Sequence, residues 1–159
     1  MSLVRFGICY GRSLAIVKQL GPRRDLEKGN RANAHEYKEY VEKVLMNGME
    51  AHYEGCSANW VEDFQLTAEL HHKLSNNVAL EYVQSWSPEE SQRMGPEVLF
   101  QVGIETAREM YPNTQFVVVP QVGNNGNYHN HILLNAVDSV SGERHSSTFT
   151  ERKRMTKLT

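Results

Sequence analysis

The sequence predicts an α+β fold, in which helices pack against an antiparallel sheet. The prediction depends on three kinds of segment: runs of strand-forming residues with alternating polarity, amphipathic runs with helical spacing, and an Asn125-Gly126 pair typical of a tight hairpin turn. The chain has 159 residues, which is enough for one domain with a buried core. We therefore expect a single domain over residues 1–159.

The first half of the chain predicts one strand and two helices. Residues 3–9 are rich in strand formers and predict a strand. Residues 21–35 are charged and contain Gly, Pro and Asn, which indicates a loop or an insertion. Residues 36–48 have helical spacing of apolar side chains. A second amphipathic helix is predicted over residues 57–74, with Ser57 as its N-cap.

The second half predicts a strand, two helices and a hairpin. Residues 78–86 alternate as a strand does, and "SPEE" follows at once. Ser87 is the expected N-cap of a helix, with Pro88 at its first position. A longer helix is predicted from about residue 96 to residue 110. The strands "FVVVP" and "YHNHILLNAV" then flank the Asn-Gly turn.

The last predicted strand carries two histidines, His129 and His131, two residues apart. Side chains of a strand alternate between its faces, so both imidazoles share one face and can converge on one cation. Two histidines do not by themselves make a metal site. A pair of histidines on a polar strand face is the alternative interpretation.

Composition limits the function classes. The formal net charge is −2, from 17 Lys+Arg and 19 Asp+Glu, so overall basicity does not indicate nucleic acid. The densest basic segment is "RKRMTK" near the C-terminus. No apolar run approaches the ~20 residues of a membrane span, and the N-terminus lacks a signal peptide's apolar region. Two cysteines without a CxxC pattern do not indicate a disulfide framework. We expect a soluble, cytoplasmic protein.

Several segments in the same order resemble relaxases, the mobilization nucleases of the HUH endonuclease group. "YHNHILLNAV" is similar to the family's "HNHIVIN" signature, and "YVQSWSPEES" is similar to its "HxxQSFxPGE" segment. The resemblance covers about residues 35–140. It implies an HUH fold with a sheet of about five antiparallel strands. It also implies one relaxase-like domain over residues 1–159. Because "RKRMTKLT" contains no closing turn or helix stop signal, we expect this domain to be the N-terminal part of a longer protein.

The resemblance implies a metal site at His129 and His131. The family's third histidine precedes this pair, and its place falls on Gln121 or on Val122. Gln121 can offer an amide oxygen to a hard divalent cation, Mg²⁺ or Mn²⁺, whereas valine offers no ligand.

The family's nucleophile is a tyrosine near the N-terminus. Alignment of the family's "EK" dipeptide with residues 42–43 places that tyrosine at Tyr37. Tyr40 lies three residues further on and is the other candidate.

The resemblance implies an enzyme that nicks single-stranded DNA at an origin of transfer, with accessory mobilization proteins as further partners. A DNA-binding module on the same fold without nicking activity is one alternative, because the third histidine is missing. An unrelated α+β protein whose histidines bind metal incidentally is another.

Overall fold

The computed structural model describes residues 13–21, 31–43, 45–46, 48–73 and 77–145 of the chain. These residues form six strands and four helices. In chain order they are β1 (Ser13–Gly21), β2 (Arg31–Asn33), α1 (Ala34–Lys43), β3 (His52–Glu54), α2 (Trp60–Leu70), β4 (Ala79–Ser85), α3 (Pro88–Met94), α4 (Pro96–Met110), β5 (Phe116–Val122) and β6 (Tyr128–Asn135).

The six strands of the described residues form one sheet in the order β2-β1-β4-β6-β5-β3. Strands β1 and β2 pair in parallel, and every other neighbouring pair is antiparallel. The prediction of an α+β fold is confirmed. The sheet has one strand more than the five or so that the resemblance implies.

Helices cover both faces of this sheet. On one face, Trp60 and Phe64 of α2 belong to the same buried cluster as Val117 of β5 and Leu133 of β6. Helix α1 joins this cluster. On the other face, α4 packs on the strand side chains that alternate with those of the first face, among them Ile132. Strand alternation thus assigns each side chain of β4, β5 and β6 to one of two covered faces.

Three strands lie where the sequence predicts none. Strand β1 pairs with β4 along nearly its whole length. The predicted strand at residues 3–9 falls outside the described residues. Strand β2 and the start of α1 replace the end of the loop predicted at residues 21–35, where Asn33 Oδ1 accepts from the Glu36 N–H at 3.1 Å. Strand β3 has three residues and pairs with β5. Such short strands depend on pairing with a distant neighbour, which local propensity does not encode.

The expected helix boundaries hold for α3 and α4 and fail elsewhere. Ser87 Oγ caps α3 by accepting from the Glu90 N–H at 3.2 Å, and α4 has the predicted bounds. Ser57 is not the N-cap of α2; its hydroxyl instead donates to Asp63 Oδ2 at 2.7 Å. Helix α1 begins at Ala34 and ends at Lys43, so it starts and ends earlier than the segment 36–48 predicts. Beyond it, the Met46 N–H donates to the carbonyl of Pro120 in β5 at 2.9 Å.

Among the described residues, no helix combines the length and the apolar composition that crossing a bilayer requires.

Candidate active site

The site lies on the sheet face that α1 and α2 cover, and three neighbouring strands build it. In the register of the sheet, His129 of β6 stands opposite Gln121 of β5 and Ser85 of β4. His131 follows two residues later on the same face. The site therefore has its backbone fixed by ladders of hydrogen bonds on both sides of β6.

The two histidines and Gln121 converge at one point. The centroids of the His129 and His131 rings are 5.3 Å apart. Gln121 Oε1 lies 2.7 Å from His129 Nε2 and 3.0 Å from His131 Nε2. Neighbouring ligands of an octahedral cation with bonds of about 2.1 Å are about 3 Å apart. The two distances from Gln121 Oε1 fit neighbouring ligands of such a cation.

Glu81 of β4 stands behind His131. Its carboxylate is fully buried, and Oε2 lies 3.1 Å from His131 Nδ1. When the Nδ1–H donates to Glu81, a neutral His131 turns its Nε2 lone pair toward Gln121 Oε1. His131 Nε2 and Gln121 Oε1 are then both acceptors, and at a separation of 3.0 Å they require a proton or a cation between them. A carboxylate that orients a histidine in this way is usual behind metal-ligating imidazoles.

Tyr37 reaches the same carboxylate from α1. It is only 8% exposed. Burial, and after it the charge and hydrogen bond of Glu81, raise the pKa of the Tyr37 hydroxyl well above its ordinary range. Tyr37, Glu81, His131, Gln121 and His129 thus form one continuous series of contacts.

Tyr40 occupies a different environment, one turn further along α1. It is 58% exposed, and its ring centroid lies 5.7 Å from that of Tyr37. The structure therefore places Tyr37 in contact with Glu81 and leaves the Tyr40 ring largely in solvent.

The environment of His129 favours the neutral imidazole. Burial, followed by the nearby charge of His131, lowers the pKa of His129 below its ordinary value. Neutral imidazole is the form that binds metals.

The third candidate ligand is an amide oxygen. In the part of the chain that the structure describes, no three His, Cys, Asp or Glu side chains are grouped to hold a metal ion. Val122, the alternative to Gln121, lies on the opposite face of β5 and is 54% exposed. Gln121 is therefore the residue of the two that can complete a ligand set with the histidine pair.

Sequence reasoning missed Glu81. Its signal is a carboxylate in the middle of the strand "ALEYVQS", with buried neighbours on both sides. A charged group in a buried strand needs a partner, so its position alone could have marked it for attention.

Comparison with known proteins gives one family and two relatives. Residues 28–159 match the family model described as "Relaxase: MobA/VirD2-like, nuclease domain". A protein named "Protein rlx" from Staphylococcus aureus is 32% identical over 98 residues, which cover 61% of this chain and 30% of that protein. A second "Protein rlx" from Staphylococcus aureus is 30% identical over 90 residues, 56% of this chain and 26% of that protein. The chain thus spans less than a third of the length of these curated relatives.

Proposed function

Because the chain belongs to the family of MobA/VirD2-like relaxase nuclease domains, we propose that it nicks single-stranded origin-of-transfer DNA during plasmid or transposon mobilization. Tyr37 is the nucleophile, and a histidine-held divalent cation assists on a sheet of HUH type. The observation that carries the proposal is the series of contacts from Tyr37 through Glu81 to His131 and Gln121. The working compartment is the cytoplasm, where such DNA is found, and accessory mobilization proteins are further partners.

His129, His131 and Gln121 would hold the cation. Two imidazole nitrogens and an amide oxygen suit Mg²⁺ or Mn²⁺, and the buried Glu81 carboxylate keeps the His131 ring in orientation. When bound, a divalent cation supplies positive charge to the non-bridging oxygens of the scissile phosphate.

Tyr37 and Glu81 perform the proton and bond changes. A phenol has a pKa of about 10, so its proton must be removed as it attacks. Glu81 accepts the hydrogen bond of Tyr37 and is placed to take that proton. The tyrosine oxygen forms a bond to phosphorus, and the bond from phosphorus to the 3′ oxygen breaks. The 3′ oxygen leaves and takes a proton from water, while the 5′ phosphate stays on Tyr37.

A DNA-binding module with impaired nicking is the second candidate. Two observations favour it: an amide replaces the family's third histidine at Gln121, and Tyr37 is only 8% exposed. The burial of Tyr37 restricts the approach of a phosphate to its hydroxyl. The third interpretation, an unrelated α+β protein, is wrong because the chain matches the relaxase family.

Covalent capture of DNA tests the proposal. The protein is incubated with Mn²⁺ and a pool of random single-stranded oligonucleotides, and adducts that survive denaturing detergent are isolated and sequenced. We expect an adduct joined to the 5′ side of the nick. Tyr37→Phe removes only the hydroxyl, so it should abolish the adduct while DNA binding persists.

Tyr40→Phe is the matched control and should leave the adduct intact. Loss of the adduct in Tyr40→Phe alone would assign the nucleophile to Tyr40. DNA binding without any adduct, even after Gln121→His, would support the binding module instead.

A further inference from the structure

A cleft of about 420 Å³ opens on the other side of the sheet, where the β5–β6 turn meets the starts of α3 and α4. This volume is in the range of small-ligand pockets. Its lining includes Met46, Pro88, Gln92, Pro96, Val122 and Asn125.

The cleft continues the candidate active site across the end of one hairpin. Val122 and Tyr128, which line the cleft, are a register pair, and the next pair is Gln121 with His129. Successive residues of a strand point to opposite faces. A DNA strand that crosses the end of this hairpin can therefore present a phosphate to the histidines and a nearby base to the cleft.

The chemistry of the lining suits an uncharged planar group. Its walls are largely apolar, and Val122 remains 54% exposed beside them. Among the residues that the structure describes, none that lines the cleft is a lysine or an arginine. Burial, and after it the charge of Glu97, raise the pKa of the Tyr128 hydroxyl, so a carboxylate acts on this region. A neutral ring can pack between such apolar walls.

Two amides at the rim can read the edge of such a ring. Asn125 Oδ1 accepts from the Asn127 N–H at 3.3 Å, which fixes the side chain in the turn and leaves its amide N–H groups to donate. Gln92 is exposed on the facing helix α3. Asparagine and glutamine amides are common partners of base edges.

We infer that this cleft binds one nucleobase of the single-stranded DNA substrate, close to the scissile phosphate. The inference rests on the proposed function, because it takes single-stranded DNA as the substrate. An apolar side chain of a partner protein is the rival occupant, and the experiment below separates the two.

Photo-cross-linking tests the inference with an oligothymidylate of about 15 nucleotides, in which one internal thymine is replaced by 5-iodouracil. Irradiated complexes are digested, and the cross-linked peptide is identified by mass spectrometry. We expect cross-links at Met46 or at Tyr128, which line the cleft.

Val122→Asn is the test variant, and Val140→Asn is its matched control. Both valines are exposed, at 54% and 71%, but Val140 does not line the cleft. Neither substitution alters the net charge, so the electrostatic repulsion between protein and DNA is the same in both variants. Val122→Asn should remove the cross-links and weaken oligothymidylate binding about 5-fold or more, the scale of one lost base contact. Val140→Asn should change neither.

Three outcomes overturn the inference alone. Cross-links elsewhere, or equal effects of the two variants, would show that no base occupies the cleft. Unchanged DNA binding by Val122→Asn would leave the cleft to a protein partner. In these cases Tyr37 adducts would still form, so the proposed function would stand. Absence of both oligonucleotide binding and adducts would instead overturn the proposed function and the inference together.

Discussion

Glu81 links the two halves of the candidate active site at the scale of single residues. A fully buried carboxylate is costly unless charged or hydrogen-bonding groups surround it. His131 at 3.1 Å and the Tyr37 hydroxyl supply those partners. In the proposed mechanism, this one side chain orients the His131 ring and accepts the proton of Tyr37.

Glu81→Gln separates these two roles, because it keeps the shape and removes the basic carboxylate. We expect Tyr37 adducts to form at least about 100-fold more slowly, the usual effect of losing a general base. The deficit should persist at saturating Mn²⁺. Glu54→Gln is the control, since Glu54 bonds Arg108 at the surface at 2.8 Å. Full rescue by excess Mn²⁺ would mean that Glu81 acts only by orienting His131.

Gln121→His should strengthen the proposed metal site. It places a third imidazole where Gln121 Oε1 now lies between the Nε2 atoms of His129 and His131. We expect Mn²⁺ affinity, measured by titration calorimetry, to rise about 10-fold or more, since even groups that only orient the ligands change affinity by this factor. Val122→His is the control on the opposite face and should give no gain. A gain for Val122→His alone would move the missing ligand to that position.

At the scale of elements, β6 is held from both of its faces. Asn130 lies between the two histidines in sequence and points to the other face, where it is fully buried. Its Nδ2 donates to Gln84 Oε1 at 3.1 Å and to the Leu99 carbonyl of α4 at 3.0 Å. Gln84 donates in turn to Thr106 of α4 at 3.0 Å. These amides fix α4 against β4 and β6, and so fix the register that aligns the histidines.

Gly103 of α4 gives the Asn130 amide its space. A Cβ there would overlap Asn130 Nδ2 and would lie 2.9 Å from its Cγ. Gly103→Ala should therefore lower the free energy of unfolding by about 1–3 kcal/mol, as overpacking does. This loss would occur although alanine favours a helix over glycine by about 1 kcal/mol.

Urea unfolding measures this change, with Gln101→Ala on the exposed face of α4 as the control. The control should lie within about 0.5 kcal/mol of the parent. If Gly103→Ala were as stable as the parent, α4 would be free to move away from β6.

At the scale of the whole molecule, His129 couples stability to pH. Burial and the charge of His131 lower its pKa in the folded state. Histidine in the unfolded chain has a pKa of about 6.5. Below this pH the unfolded chain binds a proton at His129, whereas the folded protein binds it only at a lower pH. The contribution of His129 is therefore present above about pH 6.5 and is lost as the pH falls toward its folded pKa.

Thermal unfolding between pH 7.5 and pH 5 checks this dependence. The unfolding temperature of the parent should decrease as the pH is lowered. The unfolding temperature of His129→Gln should decrease by less. His35 is exposed, so the unfolding temperature of His35→Gln should decrease with pH as steeply as that of the parent. A fall of the same size in His129→Gln would assign the acid sensitivity to other groups.

The parts of the fold that local rules determine were predictable. The Ser-Pro signal gave the start of α3, and the bounds of α4 followed from its apolar spacing and its proline. The hairpin of β5 and β6 followed from Asn125-Gly126, although residues 123–127 connect the strands where a tight two-residue turn was expected. Ser57 was misassigned, because an N-cap depends on which residue begins the helix and not on residue type alone.

By itself, the sequence determined that His129 and His131 share one face of a strand, because alternation with a period of two is a local property of an extended chain. Only the tertiary structure decided which groups meet them. Gln121 reaches the pair through the register of β5 with β6, Glu81 through β4, and Tyr37 through the packing of α1 on the sheet. Each of these meetings depends on strand pairing and burial between distant segments, and residue spacing along the chain carries no information about either.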